Sequence, residues 1–398
     1  MHILIIPSER YVPSDAPLQG IFQRDQAYAL KRAGYYVGVI SLHLRSIRLL
    51  TRRISGWKVG FRVQDDQGMP VFNFDGYGIP RISPFYRWLC LQAGRALFKK
   101  YVAQNGMPDI VHAHNALWAG VLARQLKAEW GMAYVLTEHS SAFARGLIFN
   151  AEKAYLPDTF RYADRRLVVS PSLGYALEKM VGDCVCPWIW VPNILDERFE
   201  KAVLKKPSVP YGNRPFCFLN IGSLDENKGQ TDLLNAFAQQ FRDNKAIQLR
   251  LGGAGPLRST LEALTHTLNI EQNVTFLGAL SREQVLAEMQ ACDVFVLASH
   301  YETFGVVLIE ALACGKPVIA TACGGPEAIV HSANGVLTPI QDSTQLGEAM
   351  ATMRENVDCY DPLQIRENCI ARFGEQAVVN QLVSIYRELS SEYHNRQV

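Results

Sequence analysis

The chain has 398 residues, of which 48% are hydrophobic and 20% charged, with a formal net charge of +2 and a mean hydropathy of -0.02. This composition excludes a disordered chain, a fibre and a disulfide scaffold, and no stretch reaches the roughly 18–20 apolar residues that span a bilayer. The length exceeds one ordinary hydrophobic core and suits two.

In chain order, Met1-His-Ile-Leu-Ile-Ile-Pro7 has no basic leader and its apolar run stops at the proline, so it reads as a first strand and not as a signal peptide. The 9 cysteines follow no pairing pattern, and Cys184-x-Cys186 is neither a redox nor a zinc spacing. Reduced thiols and a cytoplasmic protein are the expectation. Residues 1–60 hold nine Lys or Arg against three acids, and the stretch 41–60 holds five basic residues and no acid. Within it, residues 42–58 mix Arg45, Arg48, Arg52, Arg53 and Lys58 with Leu, Ile and Trp57. Such a mixture suits a peripheral contact with anionic lipid; no nucleic-acid recognition motif accompanies it.

Short apolar strands are predicted at His2–Ser8, Tyr36–Leu42, Val71–Phe74, Asp109–His114, Ala133–His139, Arg166–Ser170 and Trp188–Val191. Amphipathic helices separate them at Gly20–Gly34, Ser83–Gln104 and Ala116–Trp130. The second half repeats the plan, with strands at Phe216–Ile221, Ile247–Gly252, Val274–Leu277, Val294–Ala298 and Pro317–Thr321. Its helices are expected at Gly229–Phe241, Leu257–Leu268, Arg282–Cys292 and Gly305–Cys314. Apolar strands alternating with helices predict an α/β protein of two doubly wound, parallel-sheet, Rossmann-like domains. The domains are read as residues 1–192 and 193–375, joined through a segment marked by Pro192, Pro207, Pro210 and Pro215. A terminal helical pattern over 376–398 is expected to cross back onto the first domain. Parallel sheets bind ligands at the carboxyl ends of their strands, so a cleft between two such ends is the expected site.

The most informative stretch is Ser299-His-Tyr-Glu302-Thr-Phe-Gly305-Val-Val-Leu-Ile-Glu310-Ala-Leu-Ala. It follows a strand and opens a helix, so the N–H groups of Thr303, Phe304, Gly305 and Val306 form a potential diphosphate site. Glu310 sits in a very apolar helix, where a carboxylate needs a partner. A second strand-end loop is Ile221-Gly-Ser223-Leu-Asp-Glu-Asn-Lys228-Gly229. Gly252-Gly-Ala-Gly255-Pro256 is a tight turn, and Gly324-Gly-Pro-Glu327 is expected to open another helix. Near the start, Gln19-Gly20-Ile-Phe22 follows the first strand by a loop. His112, His114 and His139 lie at two adjacent strand ends, and nothing nearby completes a metal site with them.

Glu302-x-Phe-Gly-x-x-x-x-Glu310 resembles the paired-glutamate signature of the retaining glycosyltransferases of family 4, which have the GT-B fold, and the likeness extends over essentially the whole chain. The resemblance implies a nucleotide-sugar as co-substrate, no metal or other cofactor, and retention at the anomeric carbon. It implies that Glu302 meets the transferred sugar, Glu310 the ribose and Lys228 the leaving diphosphate. His139 would approach the donor sugar, while Gly20, Gly278 and Leu280 would line the donor pocket. His114 and Phe22 would face the acceptor. Ser223 stands where the family carries an arginine, so one cation is missing from the phosphate loop; Lys228 and the helix N-termini, or an arginine of the first domain, would have to compensate. A glycan or polyprenyl-linked acceptor in cell-surface polysaccharide assembly is the expected partner. Rival readings are a nucleotide-sugar epimerase of the same fold, a phosphorylase, a non-catalytic nucleotide-sugar module and a dinucleotide oxidoreductase. The last lacks a G-x-G-x-x-G after the first strand.

Overall fold

The computed structural model of the chain describes residues 1–11, 20–46, 59–78, 84–143, 145–181, 187–204 and 214–397. Gln19, Cys184, Cys186, Pro207, Pro210 and most of the basic segment, from 47 to 58, lie outside the described residues. Two compact units are present, one of Met1–Ile194 with Val378–Val398 and one of Leu195–Ala377.

The first unit contains β1 (His2–Ile6), β2 (Tyr36–Ser46), β3 (Gly60–Asp66), β4 (Met69–Gly78), β5 (Ile110–His114), β6 (Tyr134–Glu138), β7 (Arg165–Val168) and β8 (Trp188–Trp190). They form one sheet in the order β3-β4-β2-β1-β5-β6-β7-β8. All neighbours are parallel except β3, which runs antiparallel to β4. That hairpin adds an antiparallel edge to the expected parallel sheet. Asp66 pairs with Met69, leaving a two-residue loop in which Gln67 has φ 53 and Gly68 φ 79. Two positive φ values in a two-residue loop match the twist of a hairpin. Arg62, Asp65 and Asp66 on an exposed edge strand give no continuous apolar run, which hid β3 from pattern reading.

The core of this unit explains the fate of the last helix, Glu375–Gln397. Val378, Val379, Leu382, Tyr386 and Leu389 recur at helical spacing and pack with Ile3, Ile5, Val37, Val39, Ile110 and Val135 of β1, β2, β5 and β6. Each such buried side chain contributes about 1.5–3 kcal/mol over leaving it exposed. The stripe therefore ties the chain terminus to a sheet that began at residue 2.

The second unit holds β9 (Phe216–Ile221), β10 (Ile247–Gly252), β11 (Val274–Gly278), β12 (Val294–Leu297), β13 (Val318–Thr321) and β14 (Gly335–Thr338), in the order β11-β10-β9-β12-β13-β14. Every pairing is parallel. The short strand β14 was not expected; its Gly335 allows close pairing, since a Cβ there would lie 2.1 Å from the Val318 carbonyl oxygen. The helix anticipated after Gly324-Gly325 is only a 3-10 turn, Pro326–Ala328. No helix among the described residues is long and apolar enough to cross a membrane.

Candidate functional site

In the second unit the loops leaving β9, β10, β12 and β13 are held together by backbone approaches that only glycine allows. A Cβ on Gly253 would lie 1.8 Å from the Gly222 carbonyl oxygen, and one on Gly229 would lie 2.0 Å from that of Ala298. Gly325 is equally constrained: its Cβ would fall 2.4 Å from the N, Cα and O of Phe304. The segment carrying Glu302 is thereby seated on the 323–325 turn. The Glu302 N–H donates to the Cys323 carbonyl at 3.1 Å, and the Gly325 N–H donates to the Glu302 carbonyl at 2.8 Å.

Glu302 and Lys228 meet on this platform. Lys228 Nζ lies 2.5 Å from Glu302 Oε1, and the Ser299 hydroxyl donates to the same oxygen at 2.8 Å. Lys228 belongs to a 3-10 turn, Glu226–Lys228, and the helix Gln230–Phe241 begins beyond it. Asp225 caps the turn through the Asn227 N–H at 3.0 Å, and Asn227 Nδ2 donates to the Tyr301 carbonyl at 3.0 Å. The lysine loop and the glutamate loop are thus cross-linked beside the side-chain pair.

Gly305 starts the next helix from φ 99, a left-handed conformation that costs glycine nothing. The helix is Val306–Ala313, and among the described residues no backbone acceptor is recorded for the N–H groups of Thr303, Phe304, Gly305 or Val306. Such groups, with the helix dipole behind them, attract an anion. Only the backbone of Phe304 is available for this, since its ring is 1% exposed and packs edge-on against Phe373 at 5.7 Å. Ser223, exposed where an arginine was expected, donates its hydroxyl to Asp225 Oδ2 at 2.5 Å.

Glu310 is 1% exposed, and the partner its apolar helix demanded is Arg282. Arg282 Nη1 donates to Glu310 Oε1 at 2.5 Å and its Nη2 to Asp196 Oδ2 at 2.8 Å, with its guanidinium 5.3 Å from the Phe199 ring centre. Burial works against the guanidinium charge, but the Glu310 and Asp196 carboxylates outweigh it and raise its pKa further. Arg282 escaped the sequence reading because it is 28 residues from Glu310, on another helix. The signal that existed was the unmatched carboxylate. Leu280, half-buried, covers Gly252, whose Cβ would lie 2.7 Å from Leu280 Cδ1, while Gly278 has open space on its Cβ side and accepts the Gly253 N–H at 2.7 Å.

In the first unit, the histidines at the ends of β5 and β6 form a buried stack. The His112 and His114 rings are 4.5 Å apart, and the His114 and His139 rings 5.1 Å. His114 Nδ1 lies 2.9 Å from His139 Nε2. His112 is a satisfied core residue, with Tyr386 Oη at 2.6 Å and Thr137 Oγ1 at 2.7 Å. Full burial corrects the expectation that His114 faces an acceptor: it is 0% exposed and supports His139 from behind. Burial pushes the His114 pKa down to about 3 and those of His112 and His139 well below the usual value, so all three are neutral near pH 7. Phe22 packs on His139 with ring centres 4.6 Å apart. Gly20 has φ 65 and precedes the helix Ile21–Arg32. Among the described residues no cluster of three or more His, Cys, Asp or Glu suited to a metal occurs.

Beside His139, Glu138 is fully buried and accepts the N–H groups of Ala116 at 2.8 Å, His139 at 3.0 Å and Ser140 at 2.8 Å. Burial nevertheless raises its carboxyl to about 7. The following segment, expected to be plain helix from Ala116, is irregular. Asn115 has φ 67 and ψ 141, and Trp118 has φ 63 and ψ -62. Each such conformation costs a non-glycine residue about 1–3 kcal/mol and tends to mark functional segments. The regular helix begins only at Val121.

Two α/β units with mainly parallel sheets and helix-opening loops at the strand ends have the GT-B fold, and the likeness to solved proteins agrees. Sucrose-phosphate synthase from Thermosynechococcus elongatus superposes with a TM-score of 0.75 at 23% identity, covering 98% of this chain and 100% of that one. The Anabaena protein Alr3699/HepE, solved in complex with UDP and glucose, superposes with a TM-score of 0.71 at 20% identity and the same coverage. Among curated proteins, N-acetyl-alpha-D-glucosaminyl L-malate synthase of Bacillus anthracis is 28% identical over 310 residues, 75% of this chain and 79% of that protein. The family described as Glycosyltransferase Family 4 matches residues 21–198, and Glycosyl transferases group 1 matches residues 204–371. The chain belongs to this glycosyltransferase family.

Proposed function

We propose that the protein transfers a hexose or N-acetylhexosamine from a nucleotide-sugar, with retention of anomeric configuration, to a hydroxyl of a glycan or lipid-linked acceptor. The second unit binds the donor. Glu302 holds hydroxyls of the transferred sugar, Glu310 the ribose, and the N–H groups of Thr303 to Val306 the diphosphate. Gly278 and Leu280 lie beside the base. Lys228 stabilises the leaving phosphate, and Ser223, whose hydroxyl donates to Asp225, leaves the place of a second cation uncharged. In the first unit, His139 serves the reacting sugar, held by His114 and Phe22, with Gly20 opening the adjacent helix.

The observation that carries this reading is the Lys228–Glu302 pair at 2.5 Å beside four backbone N–H groups for which no backbone acceptor is recorded among the described residues. A cation, a hydroxyl-binding carboxylate and a helix N-terminus at the ends of two adjacent strands, β9 and β12, suit a sugar diphosphate. No base is required in a front-face displacement: the departing phosphate oxygen takes the proton of the incoming hydroxyl as the sugar–phosphate bond breaks and the new glycosidic bond forms. The protein's part is positioning and charge stabilisation.

The test is transfer by Glu302→Gln and Lys228→Ala variants. Each should lose roughly 10²- to 10³-fold in kcat with an unchanged circular dichroism spectrum. Proton NMR of the product should show the anomeric configuration of the donor. Wild-type transfer by both variants sinks the assignment. A thermal-shift screen of UDP-, GDP- and ADP-sugars identifies the donor, because a ligand of the folded state raises the melting temperature.

A further inference from the structure

Two unfavourable features of the first unit meet beside His139. Asn115 and Trp118 hold positive φ values of 67 and 63, a region that residues with a Cβ rarely occupy. Glu138 is fully buried, and its carboxyl feels burial and three N–H groups but no neighbouring charge. A buried carboxylate without a cation is a net cost to the fold. Of the three stacked histidines only His139 keeps any exposed surface, 9% against 0% for His112 and His114.

The hydrogen bonds show what these features hold. The Asn115 N–H donates to the Thr137 carbonyl at 2.7 Å, and Glu138 Oε2 accepts the Ala116 N–H at 2.8 Å. Asn115 Oδ1 in turn accepts the His139 N–H at 2.9 Å. Glu138 Oε1 accepts the same N–H at 3.0 Å and that of Ser140 at 2.8 Å. The end of β5 is thus stitched to the end of β6 around the backbone of His139, while Phe22 and His114 hold its ring. The clamp is specific to a carboxylate. Three N–H donors face its two oxygens, and an ionised carboxylate accepts at both, whereas the isosteric amide accepts at one and donates at the other. A glutamine would set its Nε2 against the Ala116 N–H, or against those of His139 and Ser140. A plain tie between two strand ends needs no charge; holding one imidazole in a single place gains from the shorter, stronger bonds that a charge makes.

We propose that Glu138 is a positioning residue for the transfer reaction: its carboxylate, together with Asn115, fixes the backbone of His139 so that the imidazole meets the reacting sugar. The inference rests on the reading of His139 as the group that serves that sugar, and it names the residues that place it.

A double-mutant cycle tests it. Nucleotide release from UDP-glucose, UDP-N-acetylglucosamine, GDP-mannose and ADP-glucose is measured at pH 8, above the Glu138 value of about 7, for Glu138→Gln, His139→Ala and the double variant. Glu138→Gln should lower kcat by about ten- to a hundred-fold, as a displaced reacting group does, with KM within about two-fold. In the His139→Ala background the same change should alter kcat by less than about two-fold, because the residue it acts through is gone. Asn115→Gly, which removes the other side-chain acceptor of the His139 N–H and relieves the positive φ, should follow the same cycle; it decides the case if Glu138→Gln does not fold. Nitrogen-15 spectra of histidine-labelled protein, which need no substrate, should show the His139 ring signals moved in Glu138→Gln and those of His266 and His300 in place. Equal losses in both backgrounds overturn the inference and leave the transferase reading standing, as does wild-type kcat in Glu138→Gln. Wild-type kcat in His139→Ala overturns both the inference and the assignment of His139. If the wild type releases no nucleotide from any of the four, that counts against the transferase reading, and an unmoved His139 spectrum then overturns the clamp as well.

Discussion

Removing the Arg282 side chain should cost far more than the loss of one surface ion pair. In Arg282→Ala, Glu310, with a side chain 1% exposed, loses the guanidinium that faces it, while Asp196, 7% exposed, keeps Arg198 at 3.1 Å. Breaking a buried pair costs about 3–5 kcal/mol. The guanidinium contact with Phe199 is lost too. With a urea slope of about 2 kcal/mol per molar for a unit of this size, the unfolding midpoint of the second unit should fall by roughly 2 M. Urea unfolding followed by circular dichroism measures it. Arg282→Ala combined with Glu310→Gln should recover part of the loss, because the stranded charge is then gone. A loss under about 1 kcal/mol, the usual worth of an exposed pair, would refute the reasoning.

Two further outcomes follow from geometry and burial. Gly325→Ala places a Cβ 2.4 Å from the Phe304 backbone, so the Glu302 segment must shift; overpacking should cost about 1–3 kcal/mol, and kcat should fall by more than the stability loss explains. Stability should also depend on pH. His112, His114 and His139 are neutral by burial in the fold, whereas in the unfolded chain they take up protons below pH 6.5. Each therefore withdraws stability as the pH falls below 6.5, and His114, whose folded value is about 3, does so by about 1.4 kcal/mol per pH unit below 6.5. Glu138 acts in the opposite sense: its raised folded value of about 7 means that protonation between pH 7 and 4.5 stabilises the fold by about 1.4 kcal/mol per unit. Denaturation of the wild type and of Glu138→Gln at pH 7.5, 6.5 and 5.5 separates the two, since the variant should lose stability more steeply. Parallel pH profiles for both proteins would exclude these groups as the cause.

Much of the fold was legible because its signals are local. β12 lies where a continuous apolar run put it, and Val378, Val379, Leu382, Tyr386 and Leu389 displayed the helical stripe that docks the last helix. The paired glutamates and Lys228 were equally visible, since residue type and spacing carry that chemistry. β3 was hidden because an exposed edge strand has no apolar run, and the irregular turn at 115–118 because its residues individually favour helix.

The sequence by itself determined that this is a two-unit α/β protein with a glycine-opened helix after Glu302, because periodicity and backbone freedom are properties of neighbouring residues. Only the tertiary structure decided the partners. Arg282 meets Glu310 across 28 residues, Lys228 meets Glu302 across 74, and Tyr386 reaches His112 across 274. A buried charge or hydroxyl needs a partner wherever the chain can bring one, and distance along the sequence does not enter that requirement. The same holds for His114, whose strand-end position suggested a ligand contact and whose burial made it the support of His139.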